Sequence, residues 1–132
     1  MTTPPLYIIL CSADRDKIQM AGMAASVGAV SDREVHLFVS MGAIKAFKKG
    51  MPASDRYQPS AFSKELEGAG VPDPLELIKQ GKMLGDMKVY ACSMVIDVLS
   101  WEMEDLEEDV FDDALGLTKF LSDAEQGQLV TL

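Results

Sequence analysis

"MKVYACSMVID", Met87–Asp97, joins two periodicities without a break. Met87 to Cys92 is a short run of apolar and β-type residues, whereas from Ser93 onward "SMVIDVLSWEME" repeats its apolar positions at helical spacing. A strand that runs straight into a helix is half of a βα unit, and chains built of such units form parallel sheets. Cys92 therefore falls at the carboxyl end of a strand and at the start of a helix.

The same alternation extends in both directions. "LYIILC", Leu6–Cys11, is a continuous apolar run suited to a strand covered on both faces. In "SADRDKIQMAGMAASVGA", Ile18, Ala21, Gly22, Ala25 and Ala29 lie on one helical face, with Ser12 or Asp14 as the cap, and their small side chains let the helix sit close to a sheet. "REVHLFVS", Arg33–Ser40, reads as a second strand, and "MGAIKAFKKG" as a short helix closed by Lys48, Lys49 and Gly50. The stretch from Gly50 to Asp73 is rich in proline and glycine and has no sustained period, so an excursion or lid-like loop is expected there. A helix after Pro74 leads to the Met87–Cys92 strand. Beyond the next helix come a weak strand within "DVFDDAL", a helix "GLTKFLSDAEQ" and a closing strand "QLVTL". The expected fold is a single α/β domain spanning 1–132, a three-layer sandwich of flavodoxin-like or Rossmann-like type around a mostly parallel sheet of four or five strands.

Composition narrows the partners. The 132 residues are 48% apolar and 25% charged, the balance of a globular protein. No apolar run has the length of a membrane span, and "MTTPPLYIILCSADRD" lacks the basic flank and apolar core of a signal peptide, which leads to the expectation of a cytoplasmic protein. Glu102–Leu132 contains ten acids and one base, Lys119, and so accounts for the whole net charge of -9. Nucleic acid and anionic membranes need a positive footprint, and neither is expected as a partner.

In open parallel sheets, ligands bind beyond the carboxyl ends of the strands. Both cysteines of the chain, Cys11 and Cys92, fall at such ends. Free amides at a helix start stabilise an anion, so a thiolate or persulfide anion on Cys92 is expected to meet the amides of Met94 and Val95 and the hydroxyl of Ser93. A buried cysteine is also a small hydrophobe, and position alone leaves both readings open. Met41 and Met94 offer a soft apolar wall, and Asp97, one turn into the helix, is placed either to orient the site or to complement the helix dipole. Lys45, Lys48, Lys49 and Arg56 form the densest positive group, suited to an anionic donor or to a solvated helix end. The acids from Glu102 to Asp113 are suited to a basic rim on a carrier protein or to solvent.

Spacing excludes several cysteine chemistries. Phosphatases and rhodaneses close their anion loop with an arginine about six residues beyond the cysteine, where this chain has Val98. The proline and threonine that thiol peroxidases place upstream are Gly85 and Val89 here. Papain-like catalysis needs a histidine, and His36, the single one, lies inside an apolar strand. No GxGxxG or Walker loop is present, and the two cysteines form no CxxC pair. What remains is a nucleophile without an evident base, acid or metal, an arrangement better suited to a carrier than to a multiple-turnover enzyme.

These residues resemble the DsrE/DsrF-like sulfur-relay family. The resemblance rests on the apolar first strand, the "FVSMG" turn at Phe38–Gly42, "VYACSM" with Asp97 at Val89–Asp97, the acidic segment after it, and "GLTKFL" with Ala124 at Gly116–Ala124. It runs from Leu6 to Leu132, and the cysteine motif is its most specific part. Ser100 and Trp101 replace the glycine that many relatives carry after the cysteine helix. The resemblance implies that Cys92 bears a persulfide and acts as a sulfur carrier or sulfurtransferase. Implied too are no cofactor beyond that covalent sulfane sulfur, TusA-like and rhodanese-like carriers as partners, and a homo-oligomer, trimer or hexamer, with "LVTL" and Pro59–Phe62 as candidate contacts. Cys11 matches no family-wide position and stands as a candidate second thiol. The competing readings are a thiol redox protein that uses Cys92 with Cys11, and a non-catalytic scaffold subunit of a sulfur-transfer complex.

Overall fold

The structure, a computed structural model, describes residues 3–132. Five strands form one parallel sheet: β1 (Leu6–Leu10), β2 (Val35–Val39), β3 (Met87–Cys92), β4 (Asp113–Leu115) and β5 (Gln128–Thr131), in the order β4-β3-β2-β1-β5. The helices are α1 (Arg15–Val30), α2 (Ala53–Arg56), α3 (Ser63–Ala69), α4 (Pro74–Leu84), α5 (Ser93–Leu99) and α6 (Leu117–Ala124). The chain steps from β1 through β4 in one direction, then returns through α6 to place β5 on the other side of β1. That reversal puts α6 on the face opposite α1 and α4, because parallel crossovers keep one hand. The result is a three-layer α/β sandwich, with the "mostly parallel" sheet realised as five strands, all parallel. No helix among the described residues is long and apolar enough to cross a membrane.

The two faces of the sheet differ. Leu6, Ile8, Leu10, Val35, Leu37, Val39, Met87, Val89 and Ala91 are all buried under α1 and α4. Small residues permit this close cover. A side chain on Gly81 would meet the Met87 methyl at 2.4 Å and the Ser26 Cα at 3.2 Å, and one on Gly28 would meet Val35 at 2.9 Å. The opposite face carries Tyr7, Ile9, His36, Phe38, Lys88 and Tyr90, and among the described residues α6 is the helix that covers it. Phe120 of α6 packs against Phe38 and Tyr7, with ring centroids 5.0 and 5.5 Å apart. His36 stacks on Tyr7 at 4.5 Å, and its Nε2 lies 3.0 Å from the Glu34 carboxylate.

Three elements depart from the sequence expectation. The excursion after Gly50 is not a structureless lid, since α2 and α3 punctuate it. Side chains hold it down: Tyr57 donates to both Asp73 oxygens at 2.9 Å, and the Arg15 guanidinium lies 5.0 Å from the Tyr57 ring centre. Met41–Phe47 winds as a 3₁₀ helix. The helix after Cys92 stops at Leu99, well short of Glu104, because Ser100 turns left-handed (φ 56°) and its N–H and that of Trp101 bond back to Asp97 and Ile96. This is the conformation for which glycine is the usual residue.

The positive group read from the sequence also divides. Arg56 is buried and donates to the carbonyls of Ala46, Lys48 and Met51 and, at 2.7 Å, to Glu107. It is a clip between the excursion and the acidic segment and is not available to an anionic donor. Lys49 pairs with Glu108, and Lys48 lies over the Trp101 ring. The acidic segment likewise does internal work, for Asp112 accepts from Lys82 and from the Val89 amide. Burial acts to raise the Glu107 pKa, but the Arg56 hydrogen bond and charge and the Gly50 amide outweigh it and leave the pKa below its ordinary 4.5. The pair therefore stabilises the fold above that pH and loses its contribution as pH falls through the lower folded value. Arg56→Met, which keeps volume but removes the charge and four hydrogen bonds, is expected to lower unfolding stability by about 3 kcal/mol at pH 7. In urea titrations the difference from wild type should shrink as the pH is taken below the carboxylate range.

Candidate functional site

Register decides what the carboxyl edge presents. Leu10 pairs with Val39, and Val39 with Ala91. One residue further along each strand come Cys11, Ser40 and Cys92. The ladder still holds there: the Cys11 amide donates to Leu132, the Ser40 amide donates to Leu10, and Cys92 pairs with Leu115. The three residues form a row across β1, β2 and β3. By strand alternation they continue the face of Tyr7, Phe38 and Tyr90, the one covered only by α6.

Exposure separates the two thiols. Cys92 is 4% exposed and Ser40 5%, whereas Cys11 is only half-buried. Burial, then the neighbouring Cys92 charge, push the Cys11 thiol above its ordinary value, and Lys17 opposes them weakly. A raised thiol pKa means a smaller thiolate fraction at neutral pH. Alkylation of Cys11 by iodoacetamide in wild-type protein, followed at the Cys11 peptide, should thus be slow at pH 7 and keep rising above pH 9; a rate that levels off below pH 8 would contradict this environment.

The supporting residues are placed unequally. Cys92 is the residue before the first helical position of α5, but its side chain accepts no capping hydrogen bond, so the expected cradle of Met94 and Val95 amides is not formed on its sulfur. The side chain follows the strand and not the helix. Val95 is 7% exposed and belongs to the core, Ser93 is half-buried, and Met94 is 55% exposed. Asp97 is exposed, and its carbonyl takes part in ending α5. Met41 follows Ser40 at φ 50°, a left-handed position uncommon for a non-glycine residue, and has 51% of its surface open. His36 lies four residues before Ser40 on the same strand, roughly 13 Å along it, and is held in an aromatic stack. It is not a base for either cysteine.

Ser40 is the residue that sequence reading passed over. Its signal is positional: it ends "LFVS" as Cys11 ends "LYIILC" and Cys92 ends "MKVYAC". Its hydroxyl makes no capping bond to the 3₁₀ turn it precedes, although the residue is almost fully buried. A surface depression of about 490 Å3 lies at the other edge of the sheet beside Leu6, Met20, Met23, Val27 and Arg33 and contains no thiol. Both cysteines lie at the carboxyl edge instead.

Comparison with known proteins adds the fold and little chemistry. No family model matches the chain. YrkE, an uncharacterized protein of Bacillus subtilis (strain 168), is 25% identical over 150 aligned residues, covering 92% of this chain and 92% of its own. The solved structure of a protein of unknown function from Methanobacterium thermoautotrophicum matches with a TM-score of 0.59 at 16% identity, over 98% of this chain and 99% of that one. The two share a fold.

The row also bears on redox chemistry. Cys11 and Cys92 are two strand spacings apart, which places their Cα atoms roughly 9–10 Å from each other. Disulfides span at most about 7 Å between Cα atoms. Treating the reduced protein with diamide should leave it without an internal Cys11–Cys92 disulfide, as read by intact mass and by peptide mapping under non-reducing conditions.

Proposed function

We propose that the chain is a cytoplasmic sulfur carrier of sulfurtransferase type, which holds sulfane sulfur as a persulfide on Cys92 and passes it between partner proteins. The observation that carries this reading is the row at the carboxyl edge: a cysteine at the ligand-binding end of a parallel sheet, with a second thiol and a hydroxyl aligned beside it. Sulfur exchange suits such a site because the attacking and leaving sulfurs supply most of the mechanism. The thiolate of Cys92 attacks the outer sulfur of a donor persulfide, a new S–S bond forms as the donor's breaks, and the electron pair leaves on the donor thiolate. Nothing is oxidised or reduced overall. Release to an acceptor is the same step reversed.

The resemblance of "VYACSM" and "GLTKFL" to the DsrE/DsrF-like proteins supports the choice of sulfur and of TusA-like or rhodanese-like carriers as donor and acceptor. Exposed apolar side chains support a homo-oligomer, trimer or hexamer: Leu117 and Leu121 on α6, Leu129 on β5, and Met20, Met23 and Val27 along α1. The site as proposed needs no cofactor beyond the covalent sulfur.

The test is intact mass after the reduced protein is mixed with inorganic polysulfide, for wild type, Cys11→Ser and Cys92→Ser. Wild type is expected to gain sulfur that maps to Cys92 and is removed by dithiothreitol. A wild type that gains none, or gains it only on Cys11, overturns the carrier role of Cys92 and favours a scaffold.

A further inference from the structure

Helix α1 is apolar on two sides. Its inner positions, Ile18, Ala21, Gly22, Ala25, Gly28 and Ala29, are buried against the sheet and α4. A surface helix ordinarily turns charged and polar residues outward. Here no charged residue occurs from Ile18 to Ser31, and every exposed position of the helix beyond Lys17 is a large apolar residue: Met20, Met23, Val27 and Val30. Their spacing of three, four and three is that of the narrow seam along which one helix packs on another. A helix apolar all round is one that is covered all round.

We infer that a second copy of this chain covers the seam, with the two α1 helices packed antiparallel about a two-fold axis between Met23 and Val27. The inference rests on the homo-oligomer proposed above, to which it gives a surface and a symmetry, and it is independent of the chemistry of Cys92. Two-fold contacts occur in a hexamer made of two trimers and not in a lone trimer, so the seam selects the hexamer.

Shape and charge both favour a second copy as the occupant. A two-fold interface uses one patch on both sides, so the patch has to fit itself. Met20 and Met23 stand as a ridge between two depressions, one of about 490 Å3 bounded by Leu6, Val27 and Arg33 and one of about 360 Å3 bounded by Phe62 and Leu66. Ridge and groove lie side by side, as the packing of two identical helices requires.

The seam is bracketed by Asp16 and Lys17 before it and by Asp32 and Arg33 after it. None of the four meets an oppositely charged side chain among the described residues. Antiparallel packing sets Met20 against Val30 of the second copy and Met23 against its Val27, and carries Asp16 and Lys17 to the level of its Arg33 and Asp32. Opposite charges then face each other at both ends of the seam. Parallel packing would bring each of these charges to its own like and set the helix dipoles side by side in the same direction.

Mass in solution tests the seam, and cross-linking tests its direction. By size-exclusion chromatography with light scattering, wild type is expected as an even-numbered assembly, and Val27→Glu and Met23→Glu at about half its mass. Both positions are exposed in the single chain, so the circular dichroism of the variants should match wild type. In the double variant Met20→Cys/Val30→Cys, the two positions are about 15 Å apart along one helix, too far for a bridge within the chain. Oxidation with copper phenanthroline should join position 20 of one copy to position 30 of the other, as located by peptide mapping. Bridges from 20 to 20 and from 30 to 30 overturn the antiparallel seam. A trimeric wild type, or an even-numbered one whose mass neither glutamate changes, overturns the seam and leaves a homo-oligomer standing. A monomeric wild type overturns both; if that monomer sediments with phosphatidylcholine vesicles and Val27→Glu does not, the stripe belongs to a lipid surface.

Discussion

Hydrogen bonding between β2 and its two neighbours sets the positions of Cys11, Ser40 and Cys92. Because Leu10, Val39 and Ala91 pair in register, the residues that follow them reach the carboxyl edge together. A slip of one residue in either pairing would send a cysteine to the opposite face of the sheet, under α1 and α4. Such a slip would also turn the continuous buried set of Ile8, Leu37 and Val89 away from those helices. The core that fixes the fold thus fixes the row.

The asymmetry of the two faces follows from the order of the strands. Three crossovers in one direction leave α1 and α4 to seal one face, with glycines and alanines where the backbones come closest. The single return crossover leaves α6, eight residues long, for the other face. That face is aromatic near the amino ends of the strands, where Tyr7, His36, Phe38 and Tyr90 meet Phe120. It ends in thiols and a hydroxyl at the carboxyl ends. Aromatic stacking fixes His36 in a structural role, while the edge is left to sulfur.

Charge in this chain is tied down more than its sequence distribution suggests. Arg56, Lys49 and Lys82 each meet an acid of the Glu107–Asp112 stretch, so part of the local negative excess holds the excursion and β3 to one another. Glu102, Glu104, Asp109 and Asp113 remain exposed. They leave a negative surface near the strand that carries Cys92.

The α/β class, the strand segments and the placement of both cysteines at strand ends were legible from the sequence, because periodicity and short apolar runs report local burial. Helix ends and 3₁₀ turns were not, since Ser100 and Met41 adopt left-handed backbone that their residue types do not announce. The anion cradle expected from Met94 and Val95 was a local inference about a helix start, and the side chain of Cys92 follows the sheet instead. Sequence by itself determined that two thiols stand at the carboxyl edge of a parallel sheet. Only the tertiary structure decided that they share one row, that Ser40 separates them and that Cys11 is the more open, because register and strand order arise from pairing between segments dozens of residues apart.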